Sequence, residues 1–103
     1  MVRIVLSKIA KQDLRDIVNY IKRNSVHYAH LESRKIQEAI DQLGYQPMIG
    51  RTVPEQDNDD LRQIIFRNYR IVYQIHDSSK IEILTIHHHA RLLSNNKVMN
   101  DEE

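Results

Sequence analysis

The first half of the chain carries two runs of apolar residues at helical spacing. Ser7 and Ser25 each stand just before a run, where a hydroxyl can accept a hydrogen bond from an unpaired helical N–H. Gly44 and Pro47 follow the second run and end it. The pattern predicts an antiparallel helical hairpin, and its apolar stripes are Ile9, Ala10, Leu14, Ile17, Val18 and Ile21, then Val26, Ala29, Ser33, Ile36, Ile40 and Leu43.

Outside the helices, short β-branched runs with a period of two predict one strand before the hairpin and three after it. The last three strands are joined by turns too short for a crossover, so they pair antiparallel. Residues 44–60 hold both glycines and both prolines and are predicted to be irregular. We therefore predict an α+β domain of order β-α-α-β-β-β, an antiparallel sheet with the hairpin on one face; the strands are Val2–Leu6, Leu61–Arg67, Tyr69–His76 and Lys80–His88.

The third predicted strand separates a covered sheet face from an uncovered one. Alternation directs one set of side chains toward the core, namely Tyr69, Ile71, Tyr73 and Ile75. Arg70 belongs to the opposite set, on the side that no predicted helix covers. We therefore expect Arg70 on a face that a partner can reach.

The composition indicates a single globular domain. The chain has 103 residues, of which 41% are hydrophobic and 28% charged, and it contains no cysteine. These values exclude disulfides, cysteine-ligated metals and a wholly disordered chain. We expect one domain over residues 1–95, followed by a polar tail over residues 96–103. Because there is no long apolar run and no signal-like leader, we predict a cytoplasmic protein with no membrane partner.

The distribution of charged residues along the chain is more informative than the net charge. The net charge of +1 is weak for a nucleic-acid binder, but nine of the fifteen basic residues are arginines, whose planar fork suits phosphate or carboxylate. Arg62, Arg70 and Arg91 lie on or just beyond adjacent predicted strands, so we expect them to approach one another around an anion. In the alternative interpretation, each pairs with an internal carboxylate such as Glu55, Asp60 or Glu82.

A run of three histidines, His87 to His89, closes the last predicted strand. Alternation separates His88 from the other two, and no further ligand has recognisable spacing, so we predict no metal site. A single histidine acting as a general acid or base is the favoured chemistry, since imidazole titrates near neutral pH. Serine-nucleophile arrangements, phosphate-binding glycine loops and paired catalytic carboxylates are missing from the sequence.

An ordered set of short motifs resembles the RelE/ParE superfamily, the toxins of bacterial type II toxin–antitoxin systems. The set comprises DLRDIVNYI at 13–21, GRTVPE at 50–55, LR at 61–62, YRIVY at 69–73 and the histidine-rich closing strand up to Arg91. The resemblance covers residues 2–95, and its element order matches the order predicted above. It implies a toxin that needs no cofactor and is neutralised by a cognate antitoxin protein whose C-terminal segment wraps it.

The resemblance implies two alternative modes of action. ParE-like toxins inhibit DNA gyrase and stall it on cleaved DNA, and some stabilise plasmids. In that mode, binding of the target or the antitoxin would fall to Arg62, Arg70 and Arg91. RelE-like and YoeB-like toxins are ribosome-dependent endoribonucleases that cut mRNA. In that mode the resemblance implies catalytic roles for Glu55, Arg70, His87 and His88.

Two features favour the ParE-like branch. An arginine follows shortly after the histidines of the last strand, as in the ParE-like pattern. Residues 44–60 contain no lysine, whereas RelE itself carries a lysine-rich loop. We therefore predict a gyrase-directed toxin, with the ribosome and mRNA as the alternative target.

Overall fold

Both predicted helices form, and each begins at its predicted serine. The computed structural model describes residues 1–88. Helix α1 spans Lys8–Lys22, and the Ser7 hydroxyl accepts a hydrogen bond of 2.9 Å from an N–H of its first turn. Helix α2 spans Val26–Gln42, and Ser25 accepts the equivalent bond at 3.0 Å. The two helices pack against each other as the predicted hairpin. Neither helix has the length and apolar run that crossing a bilayer needs.

The described residues form one sheet of five strands in the order β1-β5-β4-β3-β2. The α+β architecture is confirmed, and the chain adds one short strand, β2, inside the segment that the sequence predicts to be irregular. The strands are β1 (Arg3–Leu6), β2 (Arg51–Thr52), β3 (Leu61–Phe66), β4 (Tyr69–Asp77) and β5 (Lys80–His88). The predicted tail over residues 96–103 lies outside the described residues.

The sheet is not antiparallel throughout, because β1 pairs with β5 in parallel. Helix α2 returns the chain to the end of the sheet where β1 begins, and the Gly44 carbonyl accepts a hydrogen bond of 2.9 Å from the Val2 N–H. Strand β3 starts at that same end, where the Ile75 N–H donates to the Asp60 carbonyl at 2.8 Å. Strands β1, β3 and β5 consequently run in one direction, which makes the pairing of β1 with β5 parallel.

The core lies between the helices and one face of the sheet, as alternation along β4 predicts. Tyr69, Ile71 and Tyr73 are buried, whereas Ile75 is half-buried at the edge of the core. They pack with isoleucines of β5 and with other members of the helical stripes, whereas Ile9 and Val26 of the predicted stripes are exposed. Glu32 of α2 is buried as well, a position that the apolar pattern does not single out.

Tyr73 and Arg62 anchor the chain between α2 and β2. The Tyr73 hydroxyl donates to the Pro47 carbonyl at 2.7 Å and accepts from the Gly50 N–H at 3.0 Å. The Arg62 guanidinium donates to the Gly50 carbonyl at 2.8 Å and to the Asp59 carbonyl at 2.9 Å. Because backbone groups need partners wherever water is excluded, these bonds allow an irregular segment to pack against the sheet.

Candidate functional site

Arg70 and His87 lie opposite each other on the sheet face that faces away from the helices. Arg70 of β4 pairs with His87 of β5 in the antiparallel register, and paired residues share a face. Both side chains are half-buried, and Ile65, the partner of Arg70 on β3, is 50% exposed. Within residues 1–88, no helix covers this side, which we call the open face.

The Arg70 guanidinium is oriented by a neutral amide and not by a carboxylate. Its Nε donates to Oε1 of Gln63, a β3 residue that is only 7% exposed. Among the described residues, no carboxylate lies within ion-pair distance of Arg70. The alternative prediction of an internal carboxylate partner for Arg70 is therefore wrong for the described part of the chain.

Arg62 does not join Arg70, contrary to the sequence prediction. Arg62 pairs with Tyr73 across β3 and β4, and Arg70 pairs with Ile65, an odd number of positions away. Adjacent residues of a strand point to opposite faces, so the two guanidinium groups lie on opposite sides of the sheet. Instead, Arg62 binds backbone carbonyl groups of the segment before β3.

Two further predicted site residues are not brought to Arg70 by the described structure. Glu55 is exposed in the loop between β2 and β3. This loop leaves the sheet beside Leu61, whose carbonyl accepts a hydrogen bond from the Val53 N–H. Leu61 lies four strand positions from Ile65, which corresponds to about 13 Å at the rise of a β-strand. Arg91 lies outside the described residues.

The histidine run divides between the two faces, as alternation predicts. His88 pairs with Tyr69, and their rings meet edge to face with centroids 5.2 Å apart on the covered side. His87 stays on the open face, where its Nε2 lies 3.5 Å from the Thr85 hydroxyl. His89 lies outside the described residues. Up to residue 88, no three histidine, aspartate or glutamate side chains are grouped closely enough to hold a metal ion.

Asp13 of α1 secures the segment of β5 that carries His87. Its Oδ2 accepts from the Thr85 hydroxyl at 2.7 Å and from the Ile86 N–H at 2.9 Å. Strand β1, the neighbour of β5, ends opposite Ile83. Beyond that point Asp13 supplies the acceptor for the Ile86 N–H. Neither Asp13 nor Gln63 stands out in the sequence as a site residue, although Asp13 opens the DLRDIVNYI motif.

A groove of about 490 Å³ lies between α2 and the outer edge of β3. Strand β2 pairs only with Arg62 and Gln63, so residues 64–66 have no strand on their outer side in the part of the chain described. The groove is lined mostly by apolar side chains, including Ala39, Leu43, Ile49, Ile64, Ile65 and Phe66. Ile49 is 55% exposed, so an apolar surface stands beside an unpaired strand edge.

Comparison with known proteins identifies the family. Two solved structures share the fold: the chromosomal ParDE system from P. aeruginosa, and the RelBE2 toxin–antitoxin complex from Mycobacterium tuberculosis. The first has 19% identity and a TM-score of 0.70, covering 85% of this chain and 96% of that one. The second has 18% identity and a TM-score of 0.62, covering 84% and 96%. No curated protein sequence matches significantly. The family model for the ParE toxin of the type II toxin–antitoxin system parDE matches residues 4–93, and the chain belongs to that toxin family within the RelE/ParE superfamily.

Proposed function

We propose that this toxin arrests growth by inhibiting DNA gyrase. The observation that carries the proposal is the ParE family match, which extends over both helices and all five strands. The separation of Glu55 from Arg70 and His87 also supports it, because RNA cleavage needs a base and an acid at one phosphate. Gyrase acts in the bacterial cytoplasm, so the proposal includes a cytoplasmic site of action.

The open face is the proposed contact surface for the target. Arg70 presents a guanidinium that no carboxylate within residues 1–88 neutralises, and His87 stands directly across from it. A guanidinium of this kind favours an acidic surface, because arginine forms two parallel hydrogen bonds with a carboxylate. The exposed Ile65 adds an apolar contact beside them.

A supercoiling assay with purified gyrase tests the proposal directly. The full chain should block supercoiling and leave cleaved DNA, while transcripts in cells expressing it stay intact. Arg70→Gln should relieve the block, and Arg15→Gln, a change on the outer surface of α1, provides the matched control. Cleaved transcripts with normal supercoiling would contradict a gyrase target.

A ribosome-dependent endoribonuclease is the second candidate, favoured by one observation. Arg70 and His87 form a cross-strand pair on the open face, where they could contact one phosphate of an mRNA. In that reaction a base removes the 2′-hydroxyl proton, the 2′-oxygen attacks phosphorus, and an acid protonates the departing 5′-oxygen. His87→Gln should then abolish transcript cleavage and leave the fold intact. The gyrase mode instead predicts that neither the wild type nor His87→Gln cleaves transcripts.

A cognate antitoxin is the proposed second partner, and the groove beside β3 is its proposed docking site. The two structural neighbours both come from toxin–antitoxin systems, which supports a partner of this kind. An extended segment could add to the unpaired edge of β3 and place apolar side chains against Ile49 and Ile65.

Co-expression with the adjacent reading frame tests the docking site. Ile49→Asp should weaken neutralisation by that partner and leave the open face unchanged, because a carboxylate would then lie in the apolar groove. Ile9→Asp is the matched control, since Ile9 is 65% exposed on α1 and lies away from the groove. Equal rescue of growth in both variants would exclude docking at β3.

A further inference from the structure

Gln63 is buried beside the charged group that the proposed function uses. It lies on the open face and is 7% exposed, and it pairs with Val72 on one side and Arg51 on the other. A buried amide costs free energy unless its polar atoms have partners. The Oε1 atom of Gln63 accepts a hydrogen bond from the Arg70 Nε–H, so this buried acceptor has a partner.

The hydrogen bond from Arg70 to Gln63 sets the orientation of the Arg70 guanidinium. Gln63 and Arg70 are diagonal neighbours in the register, a spacing that long side chains can bridge. Because a guanidinium is planar, a hydrogen bond to Nε determines the plane of the whole group. The two terminal nitrogens then remain for a ligand, as a fork with two parallel donors.

The neutrality of Gln63 is as important as its position. A glutamate at 63 would make the same hydrogen bond and would also cancel the positive charge of Arg70. An amide orients the cation and leaves its charge intact. Within residues 1–88, the arginine that contacts a carboxylate is Arg67, which lies 3.3 Å from Glu32 and holds the β3–β4 turn against α2.

We propose that Gln63 is a positioning residue that orients Arg70, which no carboxylate of residues 1–88 neutralises, as a fork for a carboxylate on the protein target of this toxin. The proposal rests on the proposed function for the identity of the target. It adds that recognition of the target depends on an uncharged hydrogen-bond acceptor at position 63.

Two substitutions separate this role from a structural one. Gln63→Glu keeps the hydrogen bond, so the melting temperature should be unchanged or higher, but gyrase inhibition should fall at least about tenfold. Gln63→Met removes the acceptor with little change in length and should weaken inhibition by a similar factor. A merely structural residue would tolerate Gln63→Glu. Gln74→Glu is the matched control, since Gln74 lies on the same face about 13 Å along β4 from Arg70.

Growth arrest on expression provides a readout that does not depend on the identity of the target. Loss of arrest in Gln63→Glu, with the Gln74→Glu control still toxic, supports the positioning role even where gyrase is unaffected by the wild-type chain. In that case only the proposed target fails, and cleaved transcripts would indicate an RNA phosphate as the ligand. A folded Gln63→Glu protein that arrests growth like the wild type overturns the proposal. The Arg70 Nε–H resonance in NMR spectra should persist in Gln63→Glu and weaken in Gln63→Met, and its persistence in Gln63→Met would also overturn it.

Discussion

The two faces of the sheet are made from alternate residues of the same strands, and they serve different purposes. On the covered face, Ile71 and Tyr73 are fully buried. On the open face, Arg70 and Val72 of the same strand stay partly exposed. A step of one residue along β4 therefore leads from packing to recognition, because successive side chains point to opposite sides.

The same contrast separates two arginines that look equivalent in the sequence. Arg62 lies on the covered side, where it binds backbone carbonyl groups. Arg70 lies on the open side, where its hydrogen-bond partner within residues 1–88 is a neutral amide. The difference teaches that covered-face variants should lose stability and open-face variants should lose activity.

Gly50→Ala should cause the largest loss, about 3 kcal/mol in the free energy of unfolding. An added Cβ would lie 2.5 Å from the Tyr73 hydroxyl oxygen and 2.7 Å from the Gln63 carbonyl oxygen. Urea denaturation measures the loss. The control is Gly44→Ala, where the nearest atom is 3.1 Å from the new Cβ. Equal losses at the two glycines would contradict this account of the anchor.

Arg62→Gln should cost about 2 kcal/mol, since charged donors make the stronger hydrogen bonds and their loss leaves carbonyl groups unpaired. The affected acceptors are the carbonyl groups of Gly50 and Asp59. Thermal unfolding at neutral pH measures the effect. A stable Arg62→Gln protein with lost activity would place this residue in recognition and break the division between the faces.

Tyr73→Phe should cost about 1 kcal/mol at neutral pH, because it removes the hydroxyl that bonds Pro47 and Gly50. Burial raises the pKa of the Tyr73 hydroxyl above its ordinary value of 10.0, outweighing the lowering effects of the Gly50 hydrogen bond and the Arg62 charge. Above pH 10.0 the unfolded chain loses this proton first. The stability linked to that proton is therefore complete below pH 10.0 and falls as pH rises through the folded pKa.

Denaturation curves between pH 8 and 11 (roughly the range over which tyrosine titrates) check the sign. The difference between wild type and Tyr73→Phe should shrink at the alkaline end. Tyr45→Phe is the control, because Tyr45 is 69% exposed. A difference that grows with pH would show that Tyr73 is not held in its neutral form.

Arg70→Gln should have the smallest effect on stability, within about 0.5 kcal/mol, because the new amide can still donate a hydrogen bond to Gln63 from a partly exposed position. It should nevertheless abolish growth arrest, because the cation of the open face is lost. Unfolding curves and growth assays on the same variant provide both readings. A large loss of stability would mean that Arg70 supports the fold and would blur the distinction between the two faces.

Local sequence patterns predicted the helices and strands well. Ser7 and Ser25 cap their helices as expected, since capping depends only on a hydroxyl and the turn that follows it. The alternation along β4 predicted its covered residues and the exposure of Arg70. Both signals are contained within about ten residues, so no distant partner is needed to interpret them.

The expected approach of Arg62 to Arg70 was wrong, although the sequence contains the information that separates them. Residues 67–68 form a two-residue turn that pairs Phe66 with Tyr69. Counting back from that pair places Arg62 opposite Tyr73 and Gln63 opposite Val72. Hairpin length sets the register of both strands, so the turn should be interpreted before the faces are assigned.

Other features depend on contacts between distant segments. A shift in the β4–β5 register lets Ile83 and Ile86 both face the core, which simple alternation does not predict. Strand β2 forms because Tyr73 and Arg62 hold the chain that precedes it. The role of Asp13 likewise becomes visible only once α1 lies beside β5.

The pairing of the first strand with the last has a consequence for how this toxin is made. Arg3 lies opposite Lys80 and Leu6 opposite Ile83, so β1 finds its neighbour only after most of the chain has been synthesised. Contacts between such distant residues slow folding, and a domain forms only when its segments have emerged from the ribosome. A partly translated chain therefore lacks the assembled sheet, and the folded toxin forms only after the ribosome has translated β5.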